Sequence, residues 1–199
     1  VMTISFEDCA NNGKIDGNLT NVGGLVGRVN SNNSVTITFI NSINKGNVTG
    51  AGNDAGGFVG YVMCYATLTV VISNSVNNGN VTWCTRCGGF LGQIDGKTKY
   101  LAVSIFNSTN NAIVTGNGNA GGFVGYIIYY YNTQSMSLEI TNSANKGSVS
   151  AKKDMACGFV CFYLSPFYHV KTTIKNSINK GKINAGAYGG YGIANNVTV

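Results

Sequence analysis

One segment is written six times along this chain, and a sequence that repeats itself at a fixed period of this length is built from stacked copies of one structural unit. Five copies are Asn41-Ser42-Ile43-Asn44-Lys45-Gly46, Asn74-Ser75-Val76-Asn77-Asn78-Gly79, Asn107-Ser108-Thr109-Asn110-Asn111-Ala112, Asn142-Ser143-Ala144-Asn145-Lys146-Gly147 and Asn176-Ser177-Ile178-Asn179-Lys180-Gly181. A worn first copy is Asp8-Cys9-Ala10-Asn11-Asn12-Gly13. Successive sixth positions lie 33, 33, 33, 35 and 34 residues apart. A second landmark follows each in phase: Gly24-Leu25-Val26-Gly27, Gly57-Phe58-Val59-Gly60, Gly89-Phe90-Leu91-Gly92, Gly122-Phe123-Val124-Gly125, Gly158-Phe159-Val160-Cys161 and a degraded Gly190-Tyr191-Gly192.

Each copy reads as three short β-prone runs, in the second copy 35–40, 47–49 and 57–62, separated by corners of Gly and Asn. β-branched and aromatic residues fill the runs, and the corner residues are those that tolerate positive φ. No segment has a capped helical period, which leucine-rich or ankyrin repeats require. The expected fold is all-β: a right-handed parallel β-helix of about six coils in one domain, residues 1–199, the hand following from the bias of parallel crossovers. The repeats fall at about 3–34, 35–67, 68–100, 101–135, 136–170 and 171–199. At about 4.8 Å per coil the rod core is about 29 Å long.

Stacking turns each repeat position into a ladder along the axis. Asn11, Asn44, Asn77, Asn110, Asn145 and Asn179 form one; Asn41, Asn74, Asn107, Asn142 and Asn176, with Asp8 at the end, form another. A primary amide both donates and accepts, so stacked amides can bond to one another and to the corner backbone. Alternation along a strand predicts that the column Val26, Val59, Leu91, Val124 and Val160 faces the core while Leu25, Phe58, Phe90, Phe123 and Phe159 face a second surface.

Gly and Asn, 28 each, make up 56 of 199 residues, whereas charged residues are 10% of the chain against the usual ~25%. Seven carboxylates and one His are a thin stock for acid, base or metal chemistry. The net charge of +6 favours acidic glycans or anionic surfaces mildly, and with only Arg28 and Arg86 it does not point to nucleic acid. No apolar run reaches the length of a membrane span; the longest candidate, 120–131, holds three Gly. The chain opens Val-Met-Thr with no apolar leader, as a mature, trimmed or partial chain does.

With these motifs over essentially its whole length, the chain resembles the GLUG-type and related Asn/Gly-rich repeats of secreted adhesins and protease-like surface proteins of bacteria and some protists. The resemblance implies an extracellular β-solenoid stalk or adhesive rod and supplies no catalytic residue, cofactor or metal ligand. Departures are Cys161 for the last Gly of its landmark, Ala112 for a corner Gly and the longer fifth copy.

Lyases and hydrolases also occur on parallel β-helices, and their sites need several carboxylates close together on neighbouring coils. Counted from each coil's aromatic landmark, only Asp54 and Asp154 nearly coincide, three coils or about 14 Å apart. Glu7 and Asp8 are adjacent and point to opposite faces. Cys84-x-x-Cys87 leaves three options open: a disulfide across a turn, a weak zinc half-site, or free thiols. Cys157 and Cys161, in a straight strand, are too far apart to bond each other. His169 reads as an exposed loop residue. Glycosylation sequons occur at Asn18, Asn32, Asn47, Asn80, Asn107 and Asn196, little more than chance gives in a chain so rich in Asn, Ser and Thr.

Solenoid variation collects on one face, often the one that binds. Here the variable stretch after each landmark gathers aromatic residues, among them Tyr126, Tyr129, Tyr130, Tyr131, Phe167 and Tyr168. They form either an outward patch for sugars or another protein, or a secondary core. The reading that follows is a non-catalytic extracellular rod, an adhesin stalk or filament subunit, whose partners are further copies of itself, other surface proteins or glycans. A carbohydrate-active enzyme or glycan-binding module is the alternative. The opening Thr3-Ile4-Ser5-Phe6 matches Thr36-Ile37-Thr38-Phe39, and the last six residues resemble the start of a further coil, so copies joining end to end are expected alongside the reading that the segment belongs to a longer chain.

Overall fold

The computed structural model describes residues 1–18, 20–129, 135–162, 170–186 and 192–193, and among them there is no helix. The chain winds as a β-solenoid whose strands stack in parallel, level on level. The first sheet holds Met2–Glu7, Val35–Ile40, Thr67–Ser73, Tyr100–Phe106, Ser135–Thr141 and Val170–Lys175. A second sheet is made only of two-residue strands: Ala10–Asn11, Ile43–Asn44, Val76–Asn77, Thr109–Asn110, Ala144–Asn145 and Ile178–Asn179. A third runs through Ile15–Gly17, Val48–Gly50, Val81–Gly88, Val114–Gly121, Val149–Ala151 and Ile183–Asn184, joined by the short Val22–Gly23, Asp54–Gly56 and Ala156–Cys157. The fourth stacks Val26–Ser31, Val59–Cys64, Leu91–Gly96, Val124–Tyr129 and Val160–Phe162.

Strand pairing follows the repeat spacing. Met2 lies opposite Val35, Val35 opposite Leu68, Leu68 opposite Leu101, Leu101 opposite Met136 and Met136 opposite Val170. Five turns are complete. Gly192–Ile193 joins the fourth sheet as its sixth strand and pairs antiparallel with Val160–Phe162, where the other strand pairs of that sheet are parallel.

The ladder Asn is the fixed point of every coil. Asn11 Nδ2 donates to Asn44 Oδ1 at 2.7 Å, Asn44 to Asn77 at 2.8 Å, Asn77 to Asn110 at 2.9 Å, Asn110 to Asn145 at 2.8 Å and Asn145 to Asn179 at 2.7 Å. The same Nδ2 also donates to the carbonyl two residues on, from Gly13 through Gly181. Asn44, Asn77, Asn110 and Asn145 are wholly buried. Beside them runs a hydroxyl relay that sequence reading passed over. The backbone N–H of Ser42 donates to Ser75 Oγ in the next coil, and Ser75, Ser108 and Ser143 repeat the bond. Each of these Oγ atoms in turn donates to the carbonyl two residues before it.

The other Asn column does something different. Asn41, Asn74, Asn107, Asn142 and Asn176, with Asp8 in the first coil, have φ between 49 and 53° and exposed side chains. They turn the corner through the left-handed region, which Asn and Asp tolerate better than other non-glycine residues. The expectation that glycines supply positive φ is corrected: no described glycine has it. They are there because a Cβ has no room. On Gly57 it would overlap the carbonyl of Gly89 and the Asn77 amide; on Gly46 it would overlap the carbonyl of Gly13.

The placement of the aromatic column is also corrected. Phe58 and Val59 both face the interior, as do Phe90 with Leu91 and Phe123 with Val124. The reason is a bulge: the N–H groups of Phe58 and Val59 both donate to the single carbonyl of Phe90, and the pattern recurs a coil later on Phe123. Two successive residues then oppose one, and alternation is lost at that point. The rings of Phe39, Phe58, Phe90, Phe123 and Phe159 pack in a continuous series with centroids 4.9–5.3 Å apart, and Phe6 stacks on Phe39 at 4.8 Å. They sit in the main core between the first and fourth sheets, while a smaller core of Val48, Val81, Val114, Val149 and the adjoining Ala and Cys side chains lies under the third sheet.

Replacing Asn77 with Ala leaves one Asn44 Nδ2–H and the Gly79 carbonyl without their partners inside the core and takes from Asn110 Oδ1 one of its two donors, a loss of about 1–3 kcal/mol. Asn78→Ala, one residue along and exposed, costs about 0.5 kcal/mol or less. Urea unfolding of the two variants checks the contrast.

Candidate functional site

The double turn at each Gly-Gly-Phe landmark brings the end of a third-sheet strand alongside the outer surface of the fourth sheet. On that outer surface Arg28, Tyr61, Gln93 and Tyr126 occupy one column, and Asn30, Met63, Asp95 and Ile128 the next. Val29, Val62, Ile94 and Ile127, between them, point into the core. On the third sheet Arg86 pairs in register with Asp54 and Asn119. The two surfaces bound a cleft of about 390 Å³ whose charged and polar walls are Arg28, Asp54, Tyr61, Arg86, Gln93 and Asp95.

Within the cleft, Arg86 Nε donates to Asp54 Oδ1, and the Tyr61 hydroxyl donates to Asp95 Oδ2 at 2.8 Å. The Arg28 guanidinium lies 5.2 Å from the centre of the Tyr61 ring, a cation–π distance. Asp54, Gln93 and Asp95 are buried. Gln93 Oε1 and Asp95 Oδ1 have no hydrogen-bond partner among the described residues, an uncommon condition for buried acceptors. Burial raises the proton affinity of Asp54 above the usual carboxylate range, and the Arg86 charge opposes that rise without cancelling it. Burial also pushes the Tyr61 phenol up, and its bond to Asp95 adds to the shift, so it stays a protonated donor.

This cleft is where the carboxylate reading is corrected. Asp54 and Asp95 share it, although Asp54 stands four residues before its own landmark and Asp95 five residues after the next. Counting from the landmark treated the coil as straight; the chain doubles back there, so offsets of opposite sign meet. Asp154 is elsewhere on the stack, its Oδ2 near Gly118. One carboxylate, Asp54, is bound to the Arg86 cation, and the other, Asp95, accepts the neutral Tyr61 hydroxyl. Among the described residues no group of three or more His, Cys, Asp or Glu side chains is placed to hold a metal ion.

Cys84 and Cys87 are joined, with Cα atoms 5.5 Å apart. Cys157 and Cys161 are joined as well, also at 5.5 Å, which corrects the expectation that they lie too far apart. They do not share a straight strand: Cys157 ends Ala156–Cys157, Cys161 sits in Val160–Phe162, and the landmark bend Gly158-Phe159 folds one back on the other. Cys9 and the buried Cys64 are free thiols.

Of the sequon residues, Asn18, Asn32, Asn47 and Asn107 are exposed and Asn80 is half-buried. The side-chain oxygens of Asn47 and Asn80 accept the N–H of the next coil's Asn80 and Ile113. Tyr126 is half-buried against Met155, Cys157 and Cys161, the secondary-core alternative at that position. The Tyr129 side chain and all of Tyr130, Tyr131, Phe167, Tyr168, His169 and Asn196 lie outside the described residues. A second, smaller cleft of about 180 Å³ lies on the third sheet, walled by Thr82, Trp83, Thr115, Asn117 and Lys152. No motif marked either cleft. The available signal for the first was the concentration of both Arg and two of the five Asp in neighbouring coils, and for the second the chain's single Trp.

Removing the Arg86 side chain leaves a buried, uncompensated Asp54. Arg86→Ala therefore costs about 3–5 kcal/mol near neutral pH. Because the folded-state proton affinity of Asp54 is raised, its favourable contribution is present below its unfolded-state pKa and is lost as pH rises through the folded-state value. The Arg86→Ala deficit accordingly shrinks on acidification as Asp54 takes up its proton, and denaturant unfolding followed from neutral pH downward reads the difference. Compared with known proteins, the chain matches no family model, no curated protein and no solved structure.

Proposed function

We propose that the chain is a non-catalytic, extracellular structural protein, a β-solenoid rod that serves as an adhesin stalk or filament subunit. The observation that carries the reading is the unbroken stack of hydrogen-bonded amides through six levels, buried at the inner four. Such a stack holds successive levels in one register, which suits an element whose task is length and stiffness. Two disulfides support an oxidising compartment, where such bonds persist. The landmark motifs support kinship with GLUG-type and related Asn/Gly-rich surface repeats.

The rod's first edge is suited to extension. Met2–Glu7, Ala10–Asn11, Ile15–Gly17 and Val26–Ser31 are each the outermost strand of a sheet. Where later ladder oxygens accept an Nδ2–H from the coil before, Asn11 Oδ1 accepts the N–H of Gly13 in its own coil. A further coil, from a longer chain or from a second copy, continues all four sheets and the amide ladder there. The second reading, a carbohydrate-active enzyme or glycan-binding module, draws on the raised proton affinity of Asp54 and the presence of Asp95 in the same cleft.

Sedimentation velocity and electron microscopy of the full chain at micromolar concentration, with polysaccharide-cleavage assays alongside, separate the two. Elongated particles that lengthen with concentration and release no sugar ends agree with the rod. Cleavage that disappears in Asp95→Asn contradicts it and establishes the enzyme, while compact monomers at every concentration remove self-assembly.

A further inference from the structure

Trp83 is the chain's single Trp and is 61% exposed. Stability does not explain that position, since a Trp left in water forgoes the burial that makes aromatic side chains valuable to a core. Its backbone makes the placement more costly still. With φ at 66°, Trp83 is the only described residue in the left-handed region that is neither Asn nor Asp, and for a bulky side chain this is a real conformational outlier. The outlier falls where strand Val81–Gly88 loses register with Val114–Gly121, between Thr82 and Cys84. The next residue, Cys84, is buried and tied to Cys87, so the chain is held on both sides of the bulge while the indole is turned outward. Bulges re-aim side chains in this manner near binding sites.

The ring does not belong to a broad apolar patch. Its cleft companions are two hydroxyls, an amide and an ammonium: Thr82, Thr115, Asn117 and Lys152. Lys152 Nζ lies 4.9 Å from the ring centre. Thr49, Thr82, Thr115 and Ser150 are in register on successive levels, so a row of hydroxyl side chains spaced by one coil runs past the ring. One aromatic platform edged by hydroxyl and amide groups fits a ligand with a C–H face and a hydroxylated rim, which is a pyranose. A protein partner needs a wider apolar contact than a single ring supplies. The cation on the ring, with Lys153 beside it in sequence and a chain charge of +6, selects an anionic sugar.

We infer that Trp83, Thr82, Thr115, Asn117 and Lys152 form a binding site for one residue of an acidic polysaccharide, a uronic acid stacking on the indole with its carboxylate held by Lys152. The inference goes beyond the structural reading and stands whether or not the rod assembles.

Because the chain has no other Trp, indole emission excited to the red of tyrosine absorption reports on this ring alone. The chain is titrated with a hexamer of galacturonic acid and, separately, with maltohexaose as a neutral sugar. The expected result is a saturable change in Trp83 emission with the uronate hexamer, weakened by salt, with maltohexaose binding at least about tenfold more weakly. Lys152→Gln, a surface change, reduces uronate affinity about fivefold. In Trp83→Ala, followed by calorimetry after circular dichroism has shown the sheet intact, affinity falls at least about tenfold. Equal binding of both hexamers overturns the acidic assignment. No emission change with either, or uronate binding by calorimetry that survives Trp83→Ala, overturns the site.

Discussion

A carboxamide that donates both to the coil above and to its own corner can be satisfied in only one arrangement, and the rest of the solenoid is arranged around that requirement. Each ladder Asn must lie directly over the last, which fixes the register of all four sheets. Its second Nδ2–H bond pins the carbonyl two residues on, and so the path of the corner. The glycines at positions such as 57 and 46 are bare because the ladder amide or the next coil's backbone already fills the space a Cβ needs. An amide left without its partner inside this core forfeits more than the bond gains when made, so the ladder discriminates against slipped registers as well as supporting the right one.

The aromatic landmark is the second constraint, and it shapes the cross-section. By sharing one carbonyl between two N–H groups, the bulge turns both Phe58 and Val59 inward and folds the chain sharply back. That fold separates a main core of stacked rings from a smaller aliphatic one and leaves a re-entrant angle between the third and fourth sheets. The Arg28, Asp54, Tyr61, Arg86, Gln93 and Asp95 cleft occupies that angle. The Trp83 cleft, also on the third sheet, has instead an aromatic face turned to water with the Lys152 cation against it. Repetition holds the frame, and single-coil departures from repetition carry the chemistry.

That division explains what was readable from sequence. A parallel stack, its spacing and the identity of the ladder residues follow from Asn44, Asn77, Asn110 and Asn145 recurring in phase, because a repeated position becomes a column whatever the details of the coil. The direction in which a side chain points is not readable wherever a bulge intervenes: strict alternation puts Phe58 on a second surface and Cys157 and Cys161 on one straight strand, and the landmark breaks that alternation. The role of Gly46 and Gly57 was legible as a requirement for Gly but not in its cause, which is a close approach of the neighbouring coil and depends on the stack having formed. The meeting of Asp54 with Asp95 depends on the same fold-back. Trp83 stood in the sequence as an ordinary strand residue, since nothing in composition announces a positive φ.

The claim that the buried amide stack governs the fold is tested most directly by hydrogen exchange at the side-chain amides, followed by nuclear magnetic resonance. Asn44, Asn77, Asn110 and Asn145 Nδ2 protons are expected to exchange as slowly as the backbone amides of Ile37, Ile72 and Ile105 in the core, and together with them, because opening one requires separating the coils. Asn78 and Asn12, exposed at the corners, exchange rapidly. If the ladder protons exchange at the rate of the exposed Asn while the core backbone stays protected, the stack is a passenger on the β-sheets and the account is wrong.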